Sequence, residues 1–140
     1  MIRDFQQKDL EPVMEIWLSS NLQAHAFVAP SYWRGCVPEV REMIPKAEVL
    51  VAEKNGEIQG FAGLIHDYLA GIFVRDGCRS QGVGKRLLDA AKERHPKITL
   101  QVYQKNNRAI GFYQREGFSV CGEQTEPDSG EKEFQMVWKG

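Results

Sequence analysis

The sequence predicts a mixed α/β (α+β) domain with one central, mostly antiparallel sheet flanked by helices. Three observations carry this. Strand-like runs at 49–52 and 58–65 flank Asn55-Gly56, the dipeptide that most strongly favours a tight β-hairpin. A β-type run at 69–74 leads through a glycine-containing stretch into an amphipathic helical pattern that begins at Val83. The order of the whole chain is strand, two helices, antiparallel strands, helix, strand, helix and strands, which fits a single sheet covered by helices.

Taken in order, residues 1–5 fit a short strand. Asp9 is positioned to cap a helix over 10–20, with Pro12 tolerated in its first turn and Val13, Ile16 and Trp17 on one face. Residues 21–30 show no clean period and carry His25 and Phe27. Ser31 is a candidate cap for a second helix carrying Tyr32, Trp33, Val37, Val40 and Ile44, which Pro38 is expected to kink or split. After the hairpin, His66-Asp67 marks a turn into an antiparallel strand over 68–74, where Gly71 suggests a bulge or the close approach of another backbone. The helix from Val83 turns Leu87, Leu88 and Ala91 inward and stops before Pro96. A strand over 98–103 follows. Asn106 or Asn107 then starts a helix through Ala109, Phe112 and Tyr113 that Gly117 ends. Residues 118–121 and 134–138 read as the last strands, and the polar stretch 123–132 between them reads as an exposed, mobile loop.

Composition narrows the function. With 140 residues, 42% apolar and 26% charged, the chain reads as one soluble globular domain. A net charge of -1 argues against a protein that coats nucleic acid, so any anion site must be built locally. Cys36, Cys78 and Cys121 are odd in number and lack CxxC spacing, which fits a reduced, cytoplasmic protein. His25, His66 and His95 lack metal-ligand spacing, so no metal is expected. The first residues do not resemble a signal peptide, and no apolar run reaches membrane-spanning length, so no membrane partner is expected either.

The stretch Arg79, Ser80, Gln81, Gly82, Val83, Gly84, Lys85 carries the chemistry. Glycines let the backbone come close to a ligand, the unpaired amides of a helix start point outward, and the helix dipole favours an anion there. Arg79 and Lys85 add positive charge at each end. The stretch is neither GxxxxGK[ST], since Arg86 follows Lys85, nor GxGxxG, since Arg86 stands where the third glycine would be. It reads as a pyrophosphate cradle. A turn leading into a helix with no ligand is the plainer alternative.

A second motif narrows the choice. The segment from Asn106 through Ala109 and Tyr113 to Gly117-Phe118, together with Val74 through Arg79 to Gly82 and Gly84, resembles the GNAT superfamily of acetyl-CoA-dependent N-acetyltransferases. That family shows V-x-P-x-x-R-G-x-G-I-G followed by N-x-x-A-x-x-x-Y-x-x-x-G-F. Here Asp76 replaces the usual proline and Ser80 the usual glycine, and neither change removes the two cradle glycines. The runs His25-Ala26-Phe27-Val28, Tyr32-Trp33-Arg34 and 100–106 are similar to the small bacterial YiaC/YjaB-type members, which are linked to acetylation of protein lysines.

The resemblance implies a sheet splayed at an acetyl-CoA cleft and assigns roles. Backbone groups of Ile72, Phe73 and Val74 would pair with the pantetheine arm. Arg79, Ser80, Gln81, Gly82, Val83, Gly84 and Lys85 would hold the pyrophosphate, and Asn106 would contact the cofactor. Tyr113 stands where the family places the acid that protonates the departing CoA thiolate, a role a phenol suits. Because a lysine amine is largely protonated at neutral pH, something must take its proton. Asp67 and His66 are the candidate bases, directly or through water, with His25 as a further one. His25, Phe27, Tyr32, Trp33 and Leu69 are the candidate acceptor-binding residues, the aromatics serving as walls for a lysine stem.

The expected activity is direct acetyl transfer from acetyl-CoA to a primary amine in a ternary complex, with a protein lysine as one acceptor and a small amine as the other. An aminoacyl-tRNA acceptor would require a basic face, which the net charge disfavours. A non-catalytic acetyl-CoA sensor and a generic nucleotide-binding module are the readings from other classes. The protein is expected to act as a monomer or weak homodimer.

Overall fold

The computed structural model describes residues 1–79 and 81–140, so the Ser80 part of the expected cradle lies outside the described residues. The chain forms β1 (Ile2–Asp4), α1 (Leu10–Ala24), α2 (Pro30–Met43), β2 (Glu48–Lys54), β3 (Glu57–Ile65), β4 (Tyr68–Val74), α3 (Val83–Arg94), β5 (Lys97–Tyr103), α4 (Asn107–Arg115), β6 (Ser119–Thr125) and β7 (Lys132–Lys139). The strands make one sheet in the order β1-β2-β3-β4-β5-β7-β6. Every pairing is antiparallel except β4 with β5, as the sequence reading of a mixed, mostly antiparallel sheet requires.

The Asn55-Gly56 hairpin forms as expected, with φ of 54° and 79° at its two turn residues. Two positive angles in sequence match the right-handed twist of the flanking strands. The β3–β4 turn is also two residues long, His66 and Asp67. One strand irregularity matters for everything that follows. Gly63 pairs with Gly71 but Leu64 pairs with Leu69, so Ala70 is an extra residue in β4. The bulge therefore falls one position before the expected Gly71. The parallel pairing of β4 with β5 covers Tyr68–Thr99 and Leu69–Leu100 and goes no further among the described residues. A bulge bends its strand and increases the local twist. Beyond Ala70, β4 turns away while β5 stays paired along its whole length with β7. The sheet forks there.

Two helical layers cover the sheet. On one face α3 packs Val83, Leu87, Leu88 and Ala91 against Leu50, Leu64, Ile98 and Met136, joined by Tyr113 of α4. On the other, Val13, Ile16 and Trp17 of α1 and Trp33 of α2 pack against Val49, Val51, Phe61 and Tyr103. The run 49–52 is buried throughout because its alternate side chains enter both cores.

Several boundaries differ from the sequence reading. α1 continues through Ala24, since nothing in Asn21-Leu22-Gln23-Ala24 breaks a helix. α2 starts at Pro30 rather than after a Ser31 cap, and it runs through Pro38 to Met43. Pro38 removes one main-chain donor without ending the helix. Much of the expected loop 123–132 is strand, leaving only 126–131 as a turn. There the Glu126 carboxylate accepts the main-chain N–H groups of Asp128 (2.7 Å) and Ser129 (2.9 Å).

Asp9 precedes α1 as expected, yet its carboxylate does not cap that helix. It accepts both terminal nitrogens of Arg3, at 2.8 and 3.0 Å, and the Gln6 N–H at 2.8 Å. Arg3 also donates to Glu53 at 2.9 Å, so the ion pair ties β1, β2 and the start of α1 together. Asp9 is 3% exposed, and the Arg3 hydrogen bonds hold its carboxyl below the ordinary range. Stability from a depressed carboxyl is complete at neutral pH and is lost as pH falls through the folded value. Arg3→Leu leaves that buried charge unpaired and should cost about 3 kcal/mol in urea unfolding at pH 7. The deficit should shrink below about pH 4, where carboxyls of ordinary pKa protonate.

Candidate active site

The fork opens into a cavity of about 750 Å³. Four elements wall it: the end of α1, the diverging half of β4, the start of α3 and the β5–α4 junction with one face of α4. Its charged lining among the described residues is all basic: Arg79, Lys85, Lys105, Arg108 and Arg115. Cations concentrated at one mouth of a chain with net charge -1 make a local anion site.

The floor is the cradle. Gly82 has φ 78° and precedes α3 as its N-cap, a left-handed conformation that suits glycine, and no side chain caps the helix. The first-turn amides of α3 are therefore free to receive an anion. Arg86 folds back to donate to the Gln81 carbonyl at 3.1 Å, and Arg79 donates to Gln23 of α1 at 2.8 Å. This last bond ties the cradle to the opposite wall. Lys85 pairs with Glu116 at 3.0 Å. These features fit a ligand carrying a pyrophosphate.

Tyr113 projects from α4 between the core and the cavity, with its ring edge-on to Phe112 and Phe118. Burial pushes its phenol above the ordinary value, and nearby Tyr68 adds to this. The hydroxyl is thus protonated at neutral pH and can act as a proton donor.

His25 joins the two walls of the cavity. The Asn106 side-chain oxygen accepts the Ala109 N–H at 3.2 Å, capping α4 and orienting its amide. The Asn106 Nδ2 group then donates to His25 Nε2 at 3.1 Å. His25 Nδ1 must carry the ring proton and donate it to Asn21 Oδ1 at 3.0 Å, and Asn21 Nδ2 donates to the Trp17 carbonyl at 2.9 Å. Every group in this line has a consistent role. Burial pushes the His25 imidazole down to about 4, so the ring is neutral at physiological pH. With both nitrogens engaged, His25 serves better as a strut across the fork than as a base.

Of the residues expected from the sequence, His25, Ile72, Phe73, Val74, Arg79, Gly82, Val83, Gly84, Lys85, Asn106 and Tyr113 line the cavity, while Gln81 flanks it. His66 and Asp67 do not. They sit exposed on the β3–β4 turn, at the end of β4 where the sheet is still closed, so neither side chain reaches the fork. Leu69 is buried in the core beside the last parallel pair, not in the cavity wall. Phe27, Tyr32 and Trp33 pack beside the cavity around Tyr103, with the Phe27 and Tyr103 centroids 5.3 Å apart. Sequence reasoning passed over Gln23, Arg108 and Arg115. The i,i+7 spacing of the two arginines puts them on one face of α4, but nothing in the chain says which face looks into a cleft.

Residues 45–120 match the family model of the acetyltransferase (GNAT) domain. The peptidyl-lysine N-acetyltransferase YiaC of Escherichia coli (strain K12) is 39% identical over 122 residues, spanning 86% of this chain and 84% of that protein. The peptidyl-lysine N-acetyltransferase YjaB of Salmonella typhimurium is 31% identical over 130 residues, spanning 92% and 90%. The solution structure of apo YjaB from Escherichia coli has a TM-score of 0.87 at 26% identity, covering 100% of this chain and 97% of that one. The fold also matches PaiA N-acetyltransferase from Thermoplasma acidophilum, solved with coenzyme A, at a TM-score of 0.81 and 22% identity over 100% and 98% of the chains.

The His25 line makes a pH prediction. A histidine with a depressed folded pKa contributes stability that is present above its unfolded value and lost as pH falls toward the folded one. Urea midpoints of the protein should therefore fall between about pH 6.5 and 4. His25→Phe keeps the ring contacts and removes this ionisation, so its midpoints should lack that component.

Proposed function

This chain is a member of the GNAT family of acetyl-CoA-dependent N-acetyltransferases, and we propose that its acceptor is the side-chain amine of a protein lysine. The observation that carries the site reading is the forked sheet, whose cavity has an all-basic charged lining and a protonated Tyr113 in its wall. The lysine acceptor is supported by the peptidyl-lysine names of the YiaC and YjaB relatives and by the ring cluster beside the cavity. Lys105 supplies a further hint: its ammonium lies 5.3 Å from the Phe27 ring centre, so that ring already accepts a lysine cation.

The residues divide the work along the fork. Beyond Leu69, β4 has no strand partner on its β5 side among the described residues; the Val74 carbonyl accepts the Ser20 hydroxyl at 3.5 Å, and the other backbone groups from Ile72 to Val74 on that edge are left for an extended pantetheine arm. The free amides at the start of α3, with Arg79 and Lys85, hold the pyrophosphate. Asn106, oriented by Ala109 and His25, has a second amide hydrogen to offer the cofactor. Acetyl-CoA supplies an activated thioester. The neutral acceptor nitrogen forms the new bond to the carbonyl carbon, the carbon–sulfur bond breaks, Tyr113 donates its proton to the departing sulfur, and the proton shed by the nitrogen restores Tyr113.

Lysine peptides, a polyamine and an aminoglycoside, each assayed for CoA thiol release, separate the acceptors. Turnover of lysine peptides above the small amines supports the proposal, and the reverse order overturns it. Tyr113→Phe should lower kcat by about 100-fold. It should leave intact the rise in melting temperature that acetyl-CoA, but not ATP, produces. Stabilisation by acetyl-CoA without turnover of any amine would instead favour a sensor.

A further inference from the structure

Five cationic side chains line the fork among the described residues, and three of them are paired within the fold. Arg79 stands 3.9 Å from Asp76, Lys85 lies 3.0 Å from Glu116 and 3.5 Å from Asp89, and Lys105 lies 3.0 Å from Glu131. Arg108 and Arg115, both exposed on α4, have neither an ion pair nor a side-chain hydrogen bond among the described residues. Acetyl-CoA carries phosphate in two places. The cradle suits its pyrophosphate. The phosphomonoester on its ribose, the 3′-phosphate, adds close to two further negative charges and calls for a cation of its own.

Contacts of α4 separate the two arginines. They stand seven residues apart, almost two turns, so they share one helix face about 10 Å apart along the axis. Arg108 is at the end of the cavity where the Asn106 amide meets His25. Arg115 is at the other end, beside the cradle. Its chain neighbour Glu116 accepts from Lys85 at 3.0 Å. Phe112, on the same face between the arginines, reaches the second cradle glycine: its ring tip lies 3.7 Å from where a Cβ on Gly84 would stand. The helix also leaves room for one of the two guanidinium groups. Long side chains on a helix lean toward its N-terminus. Arg115 does so, and its Nη1 lies 3.3 Å from the place a Cβ on Gly111 would occupy, one turn back. Glycine inside a helix is unfavourable, yet α4 keeps one where a side chain would crowd that guanidinium. The Arg115 donors thus lie over bare helix, next to Phe112 and level with the cradle.

We propose that Arg115 binds the 3′-phosphate of acetyl-CoA and makes the protein selective for that cofactor over its 3′-dephospho form. The inference rests on the acetyl-CoA reading of the fork and extends it from the pyrophosphate to the nucleoside end. The planar guanidinium offers paired donors in the geometry a phosphate accepts. Its position fits as well, since the nucleoside continues from the pyrophosphate away from the pantetheine arm on β4. Arg108, at the pantetheine end, adds its charge to the field of the cavity and favours both forms of the cofactor alike.

The test measures dissociation constants for acetyl-CoA and acetyl-3′-dephospho-CoA by calorimetry at fixed salt, on the wild type, Arg115→Gln and Arg108→Gln. The wild type should bind acetyl-CoA about 10-fold more tightly than the dephospho form, the scale of one charge-assisted contact. Arg115→Gln should weaken acetyl-CoA by about that factor and leave the dephospho form unchanged, which brings the ratio close to one. Arg108→Gln removes the same charge from the same helix face, so it should weaken both forms alike and keep the wild-type ratio. The rise in melting temperature with each ligand should follow the same order. A wild type without preference overturns the inference. So does an Arg115→Gln that weakens both forms equally, which would assign Arg115 to the pyrophosphate. Loss of the ratio in Arg108→Gln instead of Arg115→Gln also overturns it. If neither form binds the wild type, the acetyl-CoA reading itself fails. Arg115 is exposed and glutamine suits a helix, so Arg115→Gln should fold. Should it not, Arg115→Lys, which lacks the paired donors, decides by the same ratio.

Discussion

The structure depends on where β4 and β5 stop pairing. Two parallel strands side by side satisfy each other's main-chain groups, and the Ala70 bulge ends that arrangement after one pair of residues on each side of the Tyr68–Leu69 bond. From that point β5 keeps its partner in β7, while β4 presents an edge with no strand paired to it among the described residues. Unpaired amides and carbonyls inside a fold are costly unless something meets them. The open fork is therefore both a defect in the sheet and the means by which an extended ligand can be held by main-chain bonds.

The fork also separates charge. The cavity in the fork is lined by five basic residues and no acidic one among those described, although the chain as a whole is slightly acidic. On the α1–α2 face of the sheet Glu133 of β7 is buried opposite Tyr103. Tyr113 lines the cavity where the sheet is split.

A split sheet needs bracing, and two polar links span the opening. The Trp17–Asn21–His25–Asn106–Ala109 line joins the last turn of α1 to the cap of α4, and the Gln23–Arg79 bond joins α1 to the cradle. Both use the final turn of α1. This helix is longer than its hydrophobic pattern suggests, and Asn21 and Gln23 are the residues that make the extra turn useful.

Much of this was legible in the chain. The Asn55-Gly56 hairpin, the helix starts at Val83 and Asn107, and the cradle around Gly82 follow from local rules: positive φ, periodicity and free helix-start amides. Tyr113 was legible through its spacing from Asn106 within a second motif. The candidate base was placed at His66 and Asp67 because they adjoin the cofactor strand in sequence, yet they lie at its closed end, away from the fork. The burial of Glu133 gave no signal, since a lone glutamate in a polar stretch looks like any solvated charge. The sequence by itself determined most of the elements and pointed to the loop before α3 and to Tyr113, because each depends on neighbours within a few residues. The tertiary structure alone decided that the sheet forks at Ala70, that β7 inserts beside β5 and that Glu133 is buried opposite Tyr103. Those outcomes depend on register and pairing between strands some thirty residues apart, which no local pattern encodes.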